Sequence, residues 1–434
     1  MSAIPPSPAP DDPRVVIVGA GFAGLAAAKA LRRAPVEVTL VDQHNHHVFT
    51  PFLYQVATAL LEPSEVAQPV RSLIRRSGNV TFRLGQVTDV DLLSKQVQTN
   101  RGPISYDYLV LAAGSISNYF HNTDIATRSL GLNDLAEALQ LRNQILSCFE
   151  QASWATDPAE RAQLLSFAVV GGGPTGVEFA AALAVLVAGM VKRDFPALDR
   201  DDVKIMLVEG ADAPLGSFAK RLQASAVKAL SAKGVEVRSG VTVTDIDDSG
   251  LVLDGGERVD AATVVWAAGV RAAPLAGALD MELASHGRVP VGPTLQLVGR
   301  PEVFVVGDLA EISASEDVLP MLAQVAIQSG RHVARSIGAQ ISGKEVGRFH
   351  YRDLGTMATI GRNDAVAEIG PLKLSGFVGW LAWLLVHIVR TVGLQARASV
   401  VISWISGYLF ADRPVRLITG PRQGNSSSQN GDEI

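Results

Sequence analysis

Two glycine-rich runs in this chain have the residue types and the spacing that hold a dinucleotide. Each run reads Gly-x-Gly-x-x-Gly between a β-branched strand pattern and an Ala-rich helix pattern. The six glycines are Gly19, Gly21 and Gly24 in "RVVIVGAGFAGL", and Gly171, Gly173 and Gly176 in "SFAVVGGGPTGVEFA". In such a turn the first glycine permits the bend, the second lets the backbone approach the phosphates, and the third lets helix and strand pack closely. Because the helix N-terminus then presents free N–H groups to a pyrophosphate, two dinucleotide sites are expected.

An acidic residue follows each glycine run at the end of the next strand pattern. Asp42 ends "VEVTLVD", 18 residues after Gly24, and Glu209 ends "VKIMLVE", 33 residues after Gly176. An acid at this position accepts hydrogen bonds from a ribose and repels a 2′-phosphate. No arginine occurs in the ten residues after Glu209, so the second site is expected to take NADH rather than NADPH.

Three more strand patterns end in small or acidic residues that belong to these sites. They are "YLVLAAGS", "TVVWAAGV" and "EVFVVGDLA". Ala113 and Gly114 in the first pattern are expected at the first dinucleotide site, and Gly269 in the second pattern at the NADH site. Asp308 in the third pattern is placed to bind the ribityl chain of a flavin, and the alternative is an ordinary strand-ending turn aspartate.

Two dinucleotide sites in one chain indicate a tightly held flavin and a diffusing nicotinamide, which must meet so that a hydride can pass between them. Glu178 lies two residues after Gly176, which predicts a position in the first turn of the second helix. We expect its carboxyl group at the contact between the nicotinamide and the flavin. The alternative is a carboxylate that is favoured there only by the helix dipole.

The alternation of strand and helix patterns predicts an α/β protein with two Rossmann-like dinucleotide-binding domains, an arrangement that resembles the glutathione-reductase-like flavoprotein fold. A C-terminal membrane-docking helical segment is expected after them. The expected division is a disordered leader 1–13, a discontinuous FAD-binding domain 14–120 and 295–345, an NADH-binding domain 121–294, a membrane-anchoring and dimerisation region 346–422, and a disordered tail 423–434. The net charge of −5 gives no basic field for nucleic acid. The eight histidines show no metal-ligand spacing, and no metal site is expected.

Near the C-terminus, two apolar stretches without formal charge stand among basic residues. They are "LSGFVGWLAWLLVHIV" and "ASVVISWISGYLFA", each shorter than the roughly 20 residues that a helix needs to cross a bilayer. Between residues 371 and 422 there is one acid, Asp412, and six basic residues, namely Lys373, Arg390, Arg397, Arg413, Arg416 and Arg422. This pattern favours a monotopic anchor on an anionic membrane surface, and the alternative is a buried pair of dimerisation helices. Because the leader has no export signal, the cytoplasmic face of the inner (plasma) membrane is expected.

With these motifs the chain resembles the type II NADH:quinone oxidoreductases, the single-subunit, non-pumping NADH dehydrogenases. The more specific matches are "NHHVFTPFLYQVAT" and "AQVAIQSGRHVA", and the resemblance runs from about residue 14 to about residue 420. It implies FAD in the first site, NADH in the second, a membrane quinone as electron acceptor, and C-terminal helices that dock on the bilayer and pair two subunits as a homodimer.

The family's quinone motif AQxAxQ falls on Ala323, Gln324, Ala326 and Gln328. Gln324 and Gln328 are four residues apart on one helix, so both amides point the same way, and neutral amides can bind quinone carbonyls. Gln324 is also expected beside the FAD, and the alternative for both is a polar surface. The residues Pro51, Tyr54 and Gln55 are expected to line the same tunnel.

Other two-dinucleotide proteins share this scaffold. Sulfide:quinone and disulfide reductases need paired redox cysteines, and Cys148 is the only cysteine. A ferredoxin or rubredoxin reductase needs no membrane-binding tail. A redox-responsive scaffold that binds FAD and NADH without significant turnover stays open at the level of sequence.

Overall fold

The computed structural model describes residues 12–314, 317–390, 394–409 and 416–419. The predicted disordered leader, apart from residues 12 and 13, and the predicted disordered tail 423–434 lie outside the described residues.

Thirteen strands build the three sheets that concern the site. In chain order they are β1 Arg14–Val18, β2 Glu37–Asp42, β3 Val80–Leu84, β4 Tyr108–Leu111, β5 Ser166–Val170, β6 Lys204–Glu209, β7 Val235–Ser239, β8 Thr263–Trp266, β9 Gln296–Leu297, β10 Arg300–Val305, β11 Thr356–Thr359, β12 Ala365–Ile369 and β13 Leu372–Ser375.

The α-helices of the described residues follow the same order. They are α1 Phe22–Leu31, α2 Leu53–Ala57, α3 Pro63–Val66, α4 Val70–Ile74, α5 Thr123–Arg128, α6 Leu135–Trp154, α7 Pro158–Leu164, α8 Pro174–Arg193, α9 Lys220–Ser231, α10 Ala323–Ile341, α11 Gly376–Arg390 and α12 Leu394–Leu409.

The first sheet has six strands in the order β9-β10-β4-β1-β2-β3. β1 lies parallel to β2 and β4, and β10 lies parallel to β4, with Val303 opposite Leu109. The sheet is therefore completed by β9 and β10, which follow the entire second sheet in the chain. Its central strands are buried runs of Val, Ile and Leu, as in parallel sheets that helices cover on both faces.

The second sheet repeats this arrangement with four parallel strands in the order β7-β6-β5-β8. The helix that follows its central strand is α8, which is long and apolar enough to cross a membrane. However, 72% of its most apolar stretch is buried inside the protein, which fits a core helix packed on the sheet. Length and composition are therefore weak support for a membrane span at this position.

The C-terminal region contains a sheet that the sequence interpretation missed. β11, β12 and β13 form an antiparallel sheet, and α11 follows β13 directly. Leu374 and Ser375 therefore belong to a strand, although the uncharged run from residue 374 predicts one continuous helix. The second predicted stretch, 398–411, is helical from Ala398 to Leu409, and residues 410 and 411 lie outside the described residues.

Shorter strands form smaller sheets beside these three. The two-stranded sheets pair His46–Val48 with Ala67–Pro69, Ser115–Ser117 with Val270–Ala272, Val289–Pro290 with Ala310–Glu311, and Ser313–Ala314 with Asp317–Val318. One three-stranded sheet contains Val87–Asp91, Gln96–Thr99 and Ile104–Ser105, and the other contains Val243–Asp247, Gly250–Leu253 and Arg258–Asp260.

Candidate functional site

The first glycine turn joins β1 to α1, and its three glycines differ in the space beside them. Gly19 has φ of +101°, and a Cβ atom there would lie 2.2 Å from the Ala112 carbonyl oxygen. A Cβ atom on Gly24 would lie 1.8 Å from the Gly19 carbonyl oxygen. A Cβ atom on Gly21 would meet no atom within 4 Å. The outer two glycines are thus required by the protein itself, whereas the space beside Gly21 is open to a ligand.

The second glycine turn, between β5 and α8, has the same construction. Gly171 has φ of +107°, and its Cβ atom would lie 2.5 Å from the Ala267 carbonyl oxygen. A Cβ atom on Gly176 would lie 1.9 Å from the Gly171 carbonyl oxygen, whereas one on Gly173 would meet nothing within 4 Å. Both turns therefore fit the approach of a pyrophosphate at the middle glycine.

Each predicted ribose-binding acid also stabilises its own turn. Asp42 Oδ2 accepts a hydrogen bond of 2.6 Å from the Ala20 N–H, and Glu209 Oε2 accepts one of 2.5 Å from the Gly172 N–H. Glu209 Oε1 accepts from the Ala211 N–H at 2.8 Å. An ionised carboxylate has about four acceptor positions, so these bonds leave room for a ribose hydroxyl.

The two sheets meet where their Ala-Ala-Gly turns lie. Gly114 and Gly269 both have positive φ, +74° and +131°, and the strands that follow them pair antiparallel. The Asn118 N–H donates to the Gly269 carbonyl and the Ala273 N–H donates to the Gly114 carbonyl, both at 3.0 Å. These bonds bring the ends of β4 and β8 together.

Asp308 follows β10 and is tied to the first of these turns. Its Oδ2 accepts a 2.7 Å hydrogen bond from the Ser115 hydroxyl. Burial raises the pKa of Asp308, and the Ser115 hydroxyl and the charge of Arg288 oppose this change. The Asp308 side chain therefore lies just beyond the carboxyl end of β10, beside the turn that contains Gly114.

The prediction that Glu178 lies in the first turn of its helix is wrong. Because α8 begins at Pro174, Glu178 falls after the first helical turn, and its side chain is 8% exposed. Its Oε1 accepts a 3.1 Å hydrogen bond from the Thr359 N–H of β11. Burial raises the pKa of Glu178 to about 8, against the opposing effects of the Thr359 N–H and of the Trp383 indole. The Trp383 indole is therefore close to this carboxyl group. Its N–H has no hydrogen-bond partner among the described residues.

The two glutamines of α10 lie on one face, as predicted, and both contact the segment before β11. Gln324 donates to the Gly355 carbonyl at 3.2 Å and accepts from the Leu354 N–H at 3.2 Å. Gln328 donates to the Arg352 carbonyl at 2.9 Å and accepts from the Arg352 N–H at 3.0 Å. Both amides thus have backbone partners, a structural role that sequence reasoning missed.

The segment with the predicted quinone residues packs against the C-terminal helices α11 and α12. Pro51 is half-buried, whereas Tyr54 and Gln55 are buried residues of α2. Gln55 donates to the Tyr54 hydroxyl at 2.9 Å and accepts a 2.8 Å hydrogen bond from the Trp404 indole of α12. Aromatic rings pack around this bond in what we call the aromatic cluster, formed by Phe49, Phe52, Trp383, His387 and Trp404.

The contacts of Trp383 and Trp404 with Phe52 and Gln55 join residues that are more than 300 positions apart, so spacing alone does not predict them.

The opposite side of α11 is apolar and exposed. Together with two residues of α12 it forms what we call the apolar face, made of Phe377, Val378, Leu381, Leu385, Val389, Ile402 and Ile405. Each of these side chains is at least 52% exposed. A set of exposed apolar residues this large marks an interaction surface.

The fold and the paired turns define a pyridine-nucleotide oxidoreductase. The family profile described as pyridine nucleotide-disulphide oxidoreductase matches residues 13–330, and that described as NDH2 C-terminal domain matches residues 354–412. A type II NADH:quinone oxidoreductase of Mycobacterium tuberculosis is 40% identical over 423 residues, covering 94% of this chain and 90% of the relative. The chain belongs to the type II NADH:quinone oxidoreductases, which confirms the family, the fold class and the enzyme activity predicted from the sequence.

Two solved structures agree in fold. One is NDH2 from Plasmodium falciparum in complex with NADH, with a TM-score of 0.87 at 19% identity, covering 93% of this chain and 99% of that one. The other is the sulfide:quinone oxidoreductase from Aquifex aeolicus, with a TM-score of 0.70 at 18% identity, covering 92% of this chain and 96% of that one.

Cys148, the only cysteine of the sequence, is buried, and its Sγ atom contacts the Thr263 hydroxyl and the Gln144 amide.

Proposed function

We propose that this chain is an FAD-dependent NADH:quinone oxidoreductase that works at a membrane surface and does not pump protons. When bound, FAD would accept a hydride from NADH and deliver two electrons to a quinone. The observation that carries the proposal is the pair of equivalent glycine turns, each open only at its middle glycine, at sheet ends joined through Gly114 and Gly269. The first turn, with Asp42 and Asp308, would hold FAD, and the second, with Glu209, would hold NADH.

Glu178 and the segment around Gln55 would serve the transfer of electrons and protons to the quinone. With its pKa raised to about 8, the Glu178 carboxyl group holds a proton at Oε1 or Oε2 at neutral pH. A quinone that receives two electrons takes up two protons, so a buried carboxyl group that titrates near neutrality suits this step. We propose that quinone reaches this region between α10 on one side and α11 and α12 on the other. The residues near its path would be Ala323, Gln324, Gln328, Pro51, Tyr54 and Gln55.

A matched pair of substitutions tests the two dinucleotide sites. Gly21 and Gly173 have φ and ψ values that alanine adopts readily, and an added Cβ atom meets no protein atom. Gly21→Ala should therefore fold but purify with little flavin. Gly173→Ala should keep its flavin while the KM for NADH rises roughly tenfold or more, because the methyl group blocks approach of the pyrophosphate.

Gly189→Ala on α8, also free of clashes, is the control and should behave as wild type. The flavin-to-protein absorbance ratio and steady-state NADH oxidation report both results. Full flavin content in Gly21→Ala together with an unchanged KM in Gly173→Ala would contradict the assignment of the two turns.

The apolar face would dock on the cytoplasmic leaflet of the inner membrane. Leu381→Glu combined with Leu385→Glu should greatly reduce co-sedimentation with vesicles of phosphatidylglycerol and phosphatidylcholine, while leaving NADH oxidation with a water-soluble acceptor intact. Leu93→Glu is the control, since Leu93 is 84% exposed and lies outside the apolar face.

The exposed substitutions are preferable to deletion of the chain from about residue 372, because deletion also removes Trp383 from beside Glu178. Unchanged sedimentation of the double variant would argue against membrane docking by this face. If the substitutions instead convert a homodimer into a monomer without affecting vesicle binding, the face belongs to the subunit interface.

A further inference from the structure

The residue that follows the first glycine of each turn has both its backbone N–H and its carbonyl hydrogen-bonded, and the two turns differ in the donor to the carbonyl. In the first turn the Ala20 N–H donates to Asp42, and the Ala20 carbonyl accepts a hydrogen bond from His47 Nδ1 at 2.9 Å. In the second turn the Gly172 carbonyl accepts a hydrogen bond from the Leu215 backbone N–H at 2.7 Å. An imidazole therefore has the place in the first turn that a backbone amide has in the second.

The hydrogen-bond partner shows that the His47 ring carries a hydrogen on Nδ1. A carbonyl oxygen only accepts, so Nδ1 carries the hydrogen. The side chain is 3% exposed, and burial lowers the pKa of His47 to about 4. The hydrogen bond to the Ala20 carbonyl opposes this change, whereas Lys29 and His46 add to it. The ring is therefore neutral, and its Nε2 is a bare acceptor without a hydrogen-bond partner in the described part of the chain.

A buried polar atom without a partner is uncommon in folded proteins and calls for an explanation, such as a donor that the protein itself does not provide. The ring also packs edge-on against Phe22, the first residue of α1, with ring centroids 5.1 Å apart. His47 thus contacts both the turn and the start of the helix whose N–H groups would receive the pyrophosphate.

We propose that His47 is a positioning residue for the first dinucleotide site, where its Nδ1–H orients the Ala20–Gly21 peptide and the start of α1 for FAD. This inference rests on the proposed function, in which FAD occupies the first turn. It makes the affinity for FAD depend on one side chain, whereas the equivalent bond in the NADH turn comes from backbone and is independent of side-chain identity. The two sites of one molecule should therefore respond differently to loss of the imidazole.

The test compares full-length wild type with His47→Leu and His47→Asn. Leucine fills similar space without a donor, and asparagine places an N–H donor near the position of Nδ1. For each protein, the dissociation constant of FAD is measured from flavin fluorescence and that of NAD⁺ by calorimetry, together with the temperature of unfolding. We expect His47→Leu to raise the FAD dissociation constant roughly tenfold or more, with NAD⁺ binding within about twofold of wild type, and His47→Asn to recover most of the loss.

Two results would overturn the inference. One is a His47→Leu protein whose FAD dissociation constant stays within twofold of wild type. The other is parallel weakening of FAD and NAD⁺ binding with a lower unfolding temperature and no recovery by asparagine, which is the signature of general core damage. If the wild-type protein itself takes up no FAD, the proposed function fails instead, and the two failures are thereby distinguished.

Discussion

The buried carboxyl group of Glu178 should make the stability of this protein fall as the pH rises through neutrality. The pKa of Glu178 is raised from its ordinary 4.5 to about 8 because burial disfavours the ionised form. Between these values the folded protein keeps a proton that the unfolded chain has lost. The unfolding free energy therefore decreases with rising pH in this window, and the contribution is present in full only below the pKa of the unfolded chain.

The size of the effect follows from the difference between the two pKa values. One pKa unit corresponds to about 1.4 kcal/mol, so raising the pH from 5.5 to 8 should remove roughly 3 kcal/mol of stability through this group. Glu178→Gln keeps an acceptor for the Thr359 N–H and cannot ionise. The difference in stability between wild type and variant should therefore shift by that amount in favour of the variant. For a unit of 150 to 250 residues, this equals roughly 6 to 12 °C in the melting temperature.

The assay is thermal unfolding by tryptophan fluorescence between pH 5.5 and pH 8, with FAD in excess and the same detergent throughout. Glu150→Gln, which removes the charge of an exposed glutamate of α6, is the matched control and should follow wild type. Melting curves of wild type and Glu178→Gln that stay parallel within 2 °C across this range would refute the argument. Such a result would mean that the carboxyl group is hydrated and ionised in the folded protein.

Three further results are expected. Glu209→Arg should move the ratio of kcat/KM for NADPH and NADH toward NADPH, since the acid that repels a 2′-phosphate is gone; an unchanged ratio would remove Glu209 from the ribose site. Gly24→Ala should destabilise the protein by several kcal/mol and prevent flavin retention, because its Cβ atom would lie 1.8 Å from the Gly19 carbonyl oxygen; a stable yellow protein would count against this packing. Trp404→Phe removes the hydrogen bond to Gln55 and should lower the melting temperature by an amount that corresponds to about 1 kcal/mol, with a higher KM for quinone and an unchanged rate with a water-soluble acceptor. Equal loss with both acceptors would place the effect outside the quinone path.

Features that obey short-range rules could be predicted from the sequence. Both glycine turns, the strands that precede them and the helices that follow lie where the spacing predicted them. Element boundaries were harder to predict, since α8 already begins at Pro174 and Glu178 therefore falls outside its first turn. The C-terminal sheet was missed because β11, β12 and β13 are only four or five residues long, and an uncharged run conceals the end of β13.

The sequence by itself thus determined the family, the α/β fold and the positions of two dinucleotide turns, because a strand, a glycine turn and an acid obey spacing rules within a few dozen residues. Only the tertiary structure decided how these parts meet. It placed Thr359 against Glu178, 181 residues away, and gave the Ala20 carbonyl its partner in His47. Burial and pKa depend on neighbours that arrive from distant parts of the chain, and no local pattern contains them.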